Sequence, residues 1–247
     1  MRNYRFGLVV FFLSFVARIS AAAASVSVLF VGNSLTQVNN LPDVFKKFAA
    51  ESPLHADVVV KSSTPGGAMF YDHWKRGQAL ALLREQHPNF LILQGQSTEP
   101  LSSSQNFASY AALFKAEADR VNAKTILFST WARPASDAYY KDATSGGSPA
   151  EMQTRLNSAY AKLARKTGAT LAPIGIAWQR AQRDAPDIQL LDGTQHPSPA
   201  GTYLAAAVLF RTVFNTSATG SSFYDGLPKE TALRLQHVAD EVALPQE

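Results

Sequence analysis

Residues 26–36 read VSVLFVGNSLT, a mostly apolar run followed at once by glycine, asparagine and serine. Apolar β-branched and aromatic residues in succession favour a strand covered on both faces, as in a parallel sheet. Glycine and asparagine favour a tight turn at the end of such a strand. The turn is therefore expected to present the hydroxyl of Ser34 at one edge of a sheet.

Further apolar runs predict four more strands along the chain, at 56–61, 90–93, 125–128 and 170–174. Stretches of helical character lie between them, at 42–50, 69–86, 105–122 and 149–167. Alternating strands and helices predict a parallel sheet with helices on both of its faces. The expected fold class is α/β, a doubly wound (flavodoxin-like) three-layer sandwich with a mainly parallel five-stranded sheet.

The start of the chain has the layout of a secretory signal peptide. Arg2 and Arg5 precede an apolar run at 6–17, and alanines follow at 21–24. The apolar run is short for a membrane span. We therefore expect residues 1–24 to be removed and residues 25–247 to form one catalytic domain. The protein is expected to be periplasmic or secreted, without a stable membrane anchor.

Composition narrows the classes of function. Removing residues 1–24 takes away three arginines and no acidic residue, which lowers the net charge from +4 to +1. A nearly neutral chain without a basic cluster gives no reason to expect nucleic acid as a partner. The absence of cysteine excludes disulfides, thiolate metal ligands and a cysteine nucleophile. No histidine pair has the spacing of a metal-binding helix, so we expect neither a metal nor a cofactor. The sequence makes no prediction of oligomeric state.

The loops after the predicted strands carry the groups needed for acyl transfer. In a doubly wound sheet, reactive groups gather at the carboxyl ends of the strands. Acyl transfer requires a hydroxyl, a base and a carboxylate that orients the base. Ser34 supplies the hydroxyl, and His196 and Asp192 supply the base and the carboxylate. A mostly apolar helix from Pro199 is expected to anchor the loop that bears His196, and a covering helix is expected at 229–243.

Acyl transfer also requires fixed donors for a developing oxyanion. The candidates are the backbone N–H of Ser34, the N–H of Gly67 or its neighbour Gly66, and the side-chain amide of Gln96. Glycine suits this role because a bare backbone can approach a substrate closely.

These segments resemble the conserved blocks of the SGNH hydrolases, the superfamily of GDSL-like esterases. GNSLT at 32–36 is similar to its Gly-Asp-Ser-Leu block, and the glycines at 66–67 to its glycine block. QGQS at 94–97 is similar to its Gly-x-Asn block, and DGTQHP at 192–197 to its Asp-x-x-His block. The order is that of the family. The resemblance implies a secreted bacterial branch, with Ser34 as nucleophile, His196 as base and Asp192 as its partner.

The sequence departs from the family pattern in three places: at Asn33, where an aspartate is usual, at Gln96, and in the spacing of Asp192 from His196. Gln96 replaces an asparagine, and its extra methylene moves the amide. The Asp-to-His spacer is one residue longer than in the family. Either the loop bulges and keeps a direct bond between the two side chains, or another group, such as a backbone carbonyl, orients the histidine.

Asn33, Trp74 and Trp131 are candidate substrate contacts. The aromatic faces of Trp74 and Trp131 can stack on sugar rings. The favoured function is a secreted serine esterase that acts on a small-molecule or polysaccharide ester, with O-acetyl groups on carbohydrate preferred. The alternatives are a lipolytic or thioester hydrolase, a non-catalytic glycan-binding protein and an O-acetyltransferase. Ser97 is a rival nucleophile, because Gly95-Gln96-Ser97 resembles a motif of sialate O-acetylesterases.

Overall fold

A single parallel sheet forms the centre of the structure, a computed structural model that describes Met1 and residues 25–243. Its strands are β1 (Val26–Val31), β2 (Val58–Ser63), β3 (Phe90–Gln94), β4 (Lys124–Phe128) and β5 (Thr170–Ala172). The five-stranded sheet has the order β2-β1-β3-β4-β5, and every pair is parallel. The expected fold class is confirmed. The predicted export segment at 1–24 lies, apart from Met1, outside the described residues.

Helices connect the strands and cover the sheet. They are α1 (Ser34–Gln37), α2 (Leu41–Ala50), α3 (Phe70–Arg76), α4 (Gln78–Gln86), α5 (Glu99–Ser102), α6 (Ser104–Arg120), α7 (Pro149–Thr167), α8 (Ile174–Asp184), α9 (Pro199–Phe214) and α10 (Lys229–Glu241). Ser148 and Ser198 cap α7 and α9, and each is followed by proline at the first helical position. A hydroxyl cap followed by proline fixes where a helix begins.

The sheet separates two apolar layers, because successive strand side chains point to opposite faces. Leu29 and Val31 of β1 pack with residues of α3, α4, α6 and α7. Val28 and Phe30 pack on the other face with residues of α2, α8, α9 and α10. Residues 200–210 of α9 are all buried, which explains why this helix is apolar nearly all round.

The strand order reverses between β1 and β3, which lie side by side although β2 comes between them in the chain. Val31 at the end of β1 pairs with Leu93 of β3 on one side and with Ser63 of β2 on the other. The connections from these neighbouring strands run in opposite directions, which leaves a crevice at their carboxyl ends. Ser34 follows β1 and Gln96 follows β3, so the fold places both at this switch point.

The observed elements differ from the predicted ones in several places. The helix expected at 69–86 is divided at Gly77, whose φ of 73° is left-handed. The strand expected at 56–61 begins later, because Ala56 N still donates to Ala49 O in the turn after α2. Helix α8 was not predicted, although its buried residues recur at helical spacing: Ile174, Ala177, Trp178 and Ala181.

Candidate active site

Ser34 is the first residue of α1 and follows the turn that ends β1. A Cβ at Gly32 would lie 2.6 Å from Oε1 of Gln94, so this turn requires glycine. The same Gln94 oxygen accepts a hydrogen bond from Asn33 N at 2.9 Å. The turn is therefore held against the end of β3, and the N–H of Ser34 is one of the donors that a helix leaves free at its start.

Asn33 was expected to contact substrate, and the hydrogen bonds of its side chain lie within the protein. The residue is 2% exposed. Its side-chain oxygen caps α1 by accepting from Leu35 N at 3.1 Å, and its side-chain nitrogen donates to Ala68 O at 3.0 Å. Both ends of the amide are thus used within the protein, and Asn33 joins the Ser34 turn to the loop after β2.

His196 lies in the loop between α8 and α9. Leu191 and Pro197 pair as an antiparallel bridge, and Ser198 begins α9. Nε2 of His196 lies 2.9 Å from Oγ of Ser34, across 162 positions of sequence. The fold therefore brings the predicted nucleophile and base into hydrogen-bonding contact.

The side chain of Asp192 reaches His196 through Thr194. Oδ1 of Asp192 accepts from the backbone N–H of Thr194 at 2.9 Å and from its hydroxyl at 2.6 Å. Oγ1 of Thr194 lies 3.0 Å from Nδ1 of His196. The hydrogen bond from the Thr194 hydroxyl lowers the pKa of Asp192, which keeps the carboxylate ionised.

The expected alternatives for this loop were a direct Asp192 to His196 bond or orientation of the histidine by another group, such as a backbone carbonyl; the structure shows the second arrangement, with the Thr194 hydroxyl as that group. The longer spacer gives room for a third side chain between the two residues. An aspartate followed two residues later by threonine was the available signal, because aspartate often accepts from a backbone N–H two residues on.

The side chain of Gln96 has a fixed orientation in the loop after β3. Its oxygen accepts from Thr98 N at 2.7 Å, from the Thr98 hydroxyl at 2.9 Å and from Glu99 N at 3.1 Å. Among residues 25–243, Nε2 of Gln96 donates to no neighbour. The amide therefore keeps two N–H groups for another acceptor, as an oxyanion donor must.

The glycine pair forms an exposed turn after β2, closed by a hydrogen bond from Ala68 N to Pro65 O at 3.2 Å. Gly67 has a φ of 70°, a conformation that glycine adopts without strain. Within the described part of the chain, the N–H groups of Gly66 and Gly67 have no recorded protein acceptor, so both remain candidate donors.

A buried carboxyl group supports two of these loops. Glu99 is 0% exposed, and its two oxygens accept from Phe70 N and from Gln96 N, each at 3.0 Å. Burial raises the pKa of Glu99 to about 7, against the effect of the two N–H donors. The sequence contains no signal for this role of Glu99, because glutamate is ordinarily a surface residue.

Trp131 and Trp74 were expected to stack on sugar rings, and both are found in other contacts. Trp131 is 2% exposed and lies flat on Trp178, with 3.9 Å between ring centroids. Its Nε1 donates to Gln195 O at 3.1 Å, next to His196. Trp74 packs edge-on against Phe114 of α6. Trp131 therefore supports the histidine loop, and Trp74 belongs to the packing between α3 and α6.

Ser97 lies in a different environment from Ser34. It is 4% exposed, and its Oγ accepts from Nε and Nη2 of Arg133 at 3.2 and 2.9 Å. Arg133 also pairs with Asp137. A serine held by a guanidinium group has no base to remove its proton, so this geometry does not favour Ser97 as the nucleophile.

In the part of the chain that the structure describes, no three His, Asp or Glu side chains are grouped to hold a metal ion. Over the same residues, no helix combines the length and apolar character that crossing a membrane requires.

Comparison with known proteins identifies relatives among solved structures. No protein-family profile and no curated protein matches the sequence. A protein from Slackia heliotrinireducens, described as an SGNH hydrolase, is 30% identical over 77% of this chain and 100% of its own, with a TM-score of 0.63. A DUF4886 family protein from Bacteroides uniformis is 17% identical over 88% of this chain and 94% of its own, with a TM-score of 0.73. A catalytic mutant of an acetylxylan esterase from Geobacillus stearothermophilus is 12% identical over 84% of this chain and 99% of its own, with a TM-score of 0.57.

A serine and a histidine in contact at the switch point of a doubly wound sheet are typical of serine hydrolases. The alignment with the Slackia protein, at 30% identity, covers the whole of that relative. The chain belongs to the SGNH hydrolases.

Proposed function

We propose that this hydrolase is a serine esterase that removes O-acetyl groups from carbohydrate outside the cytoplasm. The observation that carries the proposal is the 2.9 Å contact between Oγ of Ser34 and Nε2 of His196. A serine hydroxyl is a weak nucleophile until an adjacent base accepts its proton. The contact supplies that base at the edge of the sheet where doubly wound enzymes bind substrate.

The first half of the reaction forms an acyl-enzyme. Oγ of Ser34 attacks the ester carbonyl carbon, and its proton passes to Nε2 of His196. The carbonyl oxygen becomes an oxyanion, for which the N–H of Ser34, a glycine N–H at 66–67 and Nε2 of Gln96 are the proposed donors. When the carbon–oxygen bond to the alcohol breaks, the leaving oxygen takes the proton from Nε2.

The second half releases the acyl group. A water molecule gives a proton to Nε2 of His196, and its oxygen attacks the acyl carbon. Collapse of this second intermediate returns the proton to Oγ of Ser34 and frees the carboxylic acid. The enzyme ends in its starting state, with no group consumed except water.

The surroundings of the His196 loop support a polar alcohol. A cleft of about 460 Å³ lies between the loop after β4 and helices α7 and α8, and its lining combines the polar Arg133, Gln182 and Arg183 with the apolar Trp131, Trp178 and Leu191. The guanidinium and amide groups can hydrogen-bond to sugar hydroxyls, and the apolar residues can contact the faces of sugar rings. The acetylxylan esterase with the same fold is a precedent for acetylated carbohydrate as a substrate.

The test compares the purified wild type with Ser34→Ala on p-nitrophenyl acetate, p-nitrophenyl butyrate and acetylated xylan. Loss of the nucleophile is expected to lower kcat on the order of a thousandfold or more. Ser222→Ala is the matched control, because this exposed serine lies beside the carboxyl end of α2, away from the strand ends that carry the site. Ser97→Ala tests the rival nucleophile and is expected to retain turnover.

Each alternative function predicts a different result in this comparison. Higher activity on butyrate than on acetate favours a lipolytic or thioester hydrolase. Acetylated acceptor sugar with little free acetate indicates an O-acetyltransferase. An inert wild type that binds glycan indicates a non-catalytic member, and full activity in Ser34→Ala contradicts the proposed nucleophile.

Export is the part of the proposal that depends on the N-terminal segment. The arginines, apolar run and alanines of residues 1–24 support cleavage near the alanines. Expression of the full chain in a bacterial host, followed by fractionation and mass spectrometry, tests this. A mature protein beginning near residue 25 outside the cytoplasm supports export, and an intact chain in the cytoplasm contradicts it.

A further inference from the structure

We propose that Thr194 is the positioning residue of the catalytic histidine. Its hydroxyl takes the place, at Nδ1 of His196, that a carboxylate occupies in a direct serine–histidine–aspartate triad. The inference rests on the proposed function, since it concerns the same base. It accounts for the extra residue between Asp192 and His196, which lets the chain insert one hydroxyl between the two side chains.

The hydrogen bonds around Thr194 determine where the protons lie. The hydroxyl has one proton to donate. Its contact to Oδ1 of Asp192 is 2.6 Å, and an ionised carboxylate only accepts, so the hydroxyl proton points to Asp192. The 3.0 Å contact between Thr194 Oγ1 and Nδ1 of His196 then requires the ring nitrogen to donate.

This assignment leaves the ring in the tautomer that catalysis requires. With the proton of a neutral imidazole on Nδ1, Nε2 carries a lone pair. Nε2 faces Oγ of Ser34 at 2.9 Å, so it accepts the serine proton. Without an acceptor at Nδ1, the neutral ring is free to carry its proton on Nε2, where it blocks the base.

Thr194 is itself held in place from several sides. Its hydroxyl oxygen accepts from the backbone N–H of His196 at 3.1 Å. Its own backbone N–H donates to Asp192 at 2.9 Å. The N–H of Asp192 donates to His196 O at 3.1 Å, which closes the loop. The hydroxyl is therefore fixed by the loop, and the histidine ring takes its orientation from the hydroxyl.

In this arrangement Asp192 acts on His196 only through Thr194. The residue is exposed, so solvent screens its charge from the histidine. Its structural task is to accept from Thr194, and an asparagine at this position retains a side-chain oxygen for that task. The inference thus predicts a different ranking of variants from a direct triad, in which amide replacement of the carboxylate lowers kcat about ten-thousandfold.

The experiment measures kcat and KM for Thr194→Val, Thr194→Ser and Asp192→Asn on p-nitrophenyl acetate. Thr194→Val keeps the shape of the side chain and is expected to lower kcat about ten- to a hundredfold, with KM within about twofold. Thr194→Ser restores the hydroxyl and most of the activity. Asp192→Asn is expected to lose less than about tenfold. Thr154→Val, on the exposed face of α7, is the matched control.

Nitrogen-15 NMR of the histidine rings gives a readout that does not depend on turnover. Signals of His196 are assigned by their loss in His196→Ala. In the neutral wild-type ring, a protonated Nδ1 supports the inference, and a protonated Nε2 overturns it. Thr194→Val is expected to shift the ring toward the Nε2-protonated form, and Thr194→Ser to restore the wild-type spectrum.

The results distinguish a failure of the esterase proposal from a failure of the proposed role of Thr194. If Ser34→Ala retains full activity, the proposed nucleophile is wrong, while the His196 spectra still test the Thr194 contact. If Ser34→Ala is inactive but Thr194→Val keeps wild-type kcat and Asp192→Asn loses about a thousandfold or more, the esterase stands. In that case Asp192 orients His196 directly, and the role of Thr194 is refuted.

Discussion

Nε2 of His73 donates a hydrogen bond to the carbonyl oxygen of Gly32 at 2.7 Å, two residues before Ser34. His73 is 2% exposed, and burial lowers its pKa, which favours the neutral ring. The bond joins α3 to the turn that presents the serine. The buried His73 therefore stabilises the conformation of the turn that presents Ser34.

Replacement of His73 by leucine is expected to lower both stability and kcat. The Gly32 carbonyl would stay buried without its donor, which costs about 1–3 kcal/mol. Urea unfolding measures the loss, and p-nitrophenyl acetate turnover measures its effect on the turn. His73→Gln, whose amide can donate, should recover part of both. His237→Leu changes an exposed histidine of α10 and serves as the control; equal stability in the two leucine variants would contradict the role of His73.

The buried carboxyl of Glu99 predicts a specific pH dependence of stability. Its folded-state pKa of about 7 exceeds its ordinary value of 4.5, so the folded protein favours the neutral form. The contribution of this group to the free energy of unfolding is therefore fully present below about pH 4.5 and is lost as the pH rises through about 7. The full loss is on the order of 3 kcal/mol.

The stability difference between wild type and Glu99→Gln isolates this effect. Subtraction removes the titration of other groups, including His73, whose lowered pKa acts in the opposite sense as the pH falls. The wild type should lose stability relative to Glu99→Gln between pH 5 and pH 8. Glu51→Gln replaces an exposed carboxylate and should show no such change. A difference for Glu99→Gln that is constant with pH would mean that Glu99 is ionised throughout.

The fold was predictable because local patterns specified most of its elements. Strand β1 has the expected bounds, and so does α7, where Ser148 caps the first turn and Gly168 ends the helix with a φ of 69°. The break at Gly77 was less visible, because glycine also occurs within helices. Helix α8 begins after Pro173 without a side-chain cap, so the usual signal for a helix start was missing.

The site was predictable only in part, for a physical reason. Ser34 and His196 could be paired because a parallel sheet brings the loops at its carboxyl edge together. The spacing of Asp192 and Thr194 indicated a hydrogen bond between these two residues, but the contact of Thr194 with His196 depends on the three-dimensional course of the loop. Trp131 was assigned to substrate because sequence does not distinguish an exposed aromatic ring from one stacked in the core.

Trp131→Phe is expected to lower kcat by less than about tenfold and stability by about 1 kcal/mol. The smaller ring retains much of the stacking on Trp178 but loses the hydrogen bond from Nε1 to Gln195 O. Trp131 also lies in the lining of the proposed sugar cleft, but it is only 2% exposed, so KM for acetylated xylan should change little. Trp74→Phe, in the packing between α3 and α6, is the comparison. A large rise in KM in Trp131→Phe alone would restore the sugar-stacking role.

Gln96→Glu provides the sharpest test of the proposed oxyanion donors. A glutamate keeps an oxygen where Thr98 N and Glu99 N donate, but it replaces the N–H groups of Nε2 with a second oxygen. The loop should therefore keep its conformation while the oxyanion loses a donor, which typically lowers kcat about a hundred- to a thousandfold.

Gln96→Ala removes the same donor together with the contacts that shape the loop. Equal losses of kcat in the two variants, with lower thermal stability only in Gln96→Ala, assign the loss to the missing N–H. Wild-type kcat in Gln96→Glu would show that the oxyanion depends on backbone donors alone.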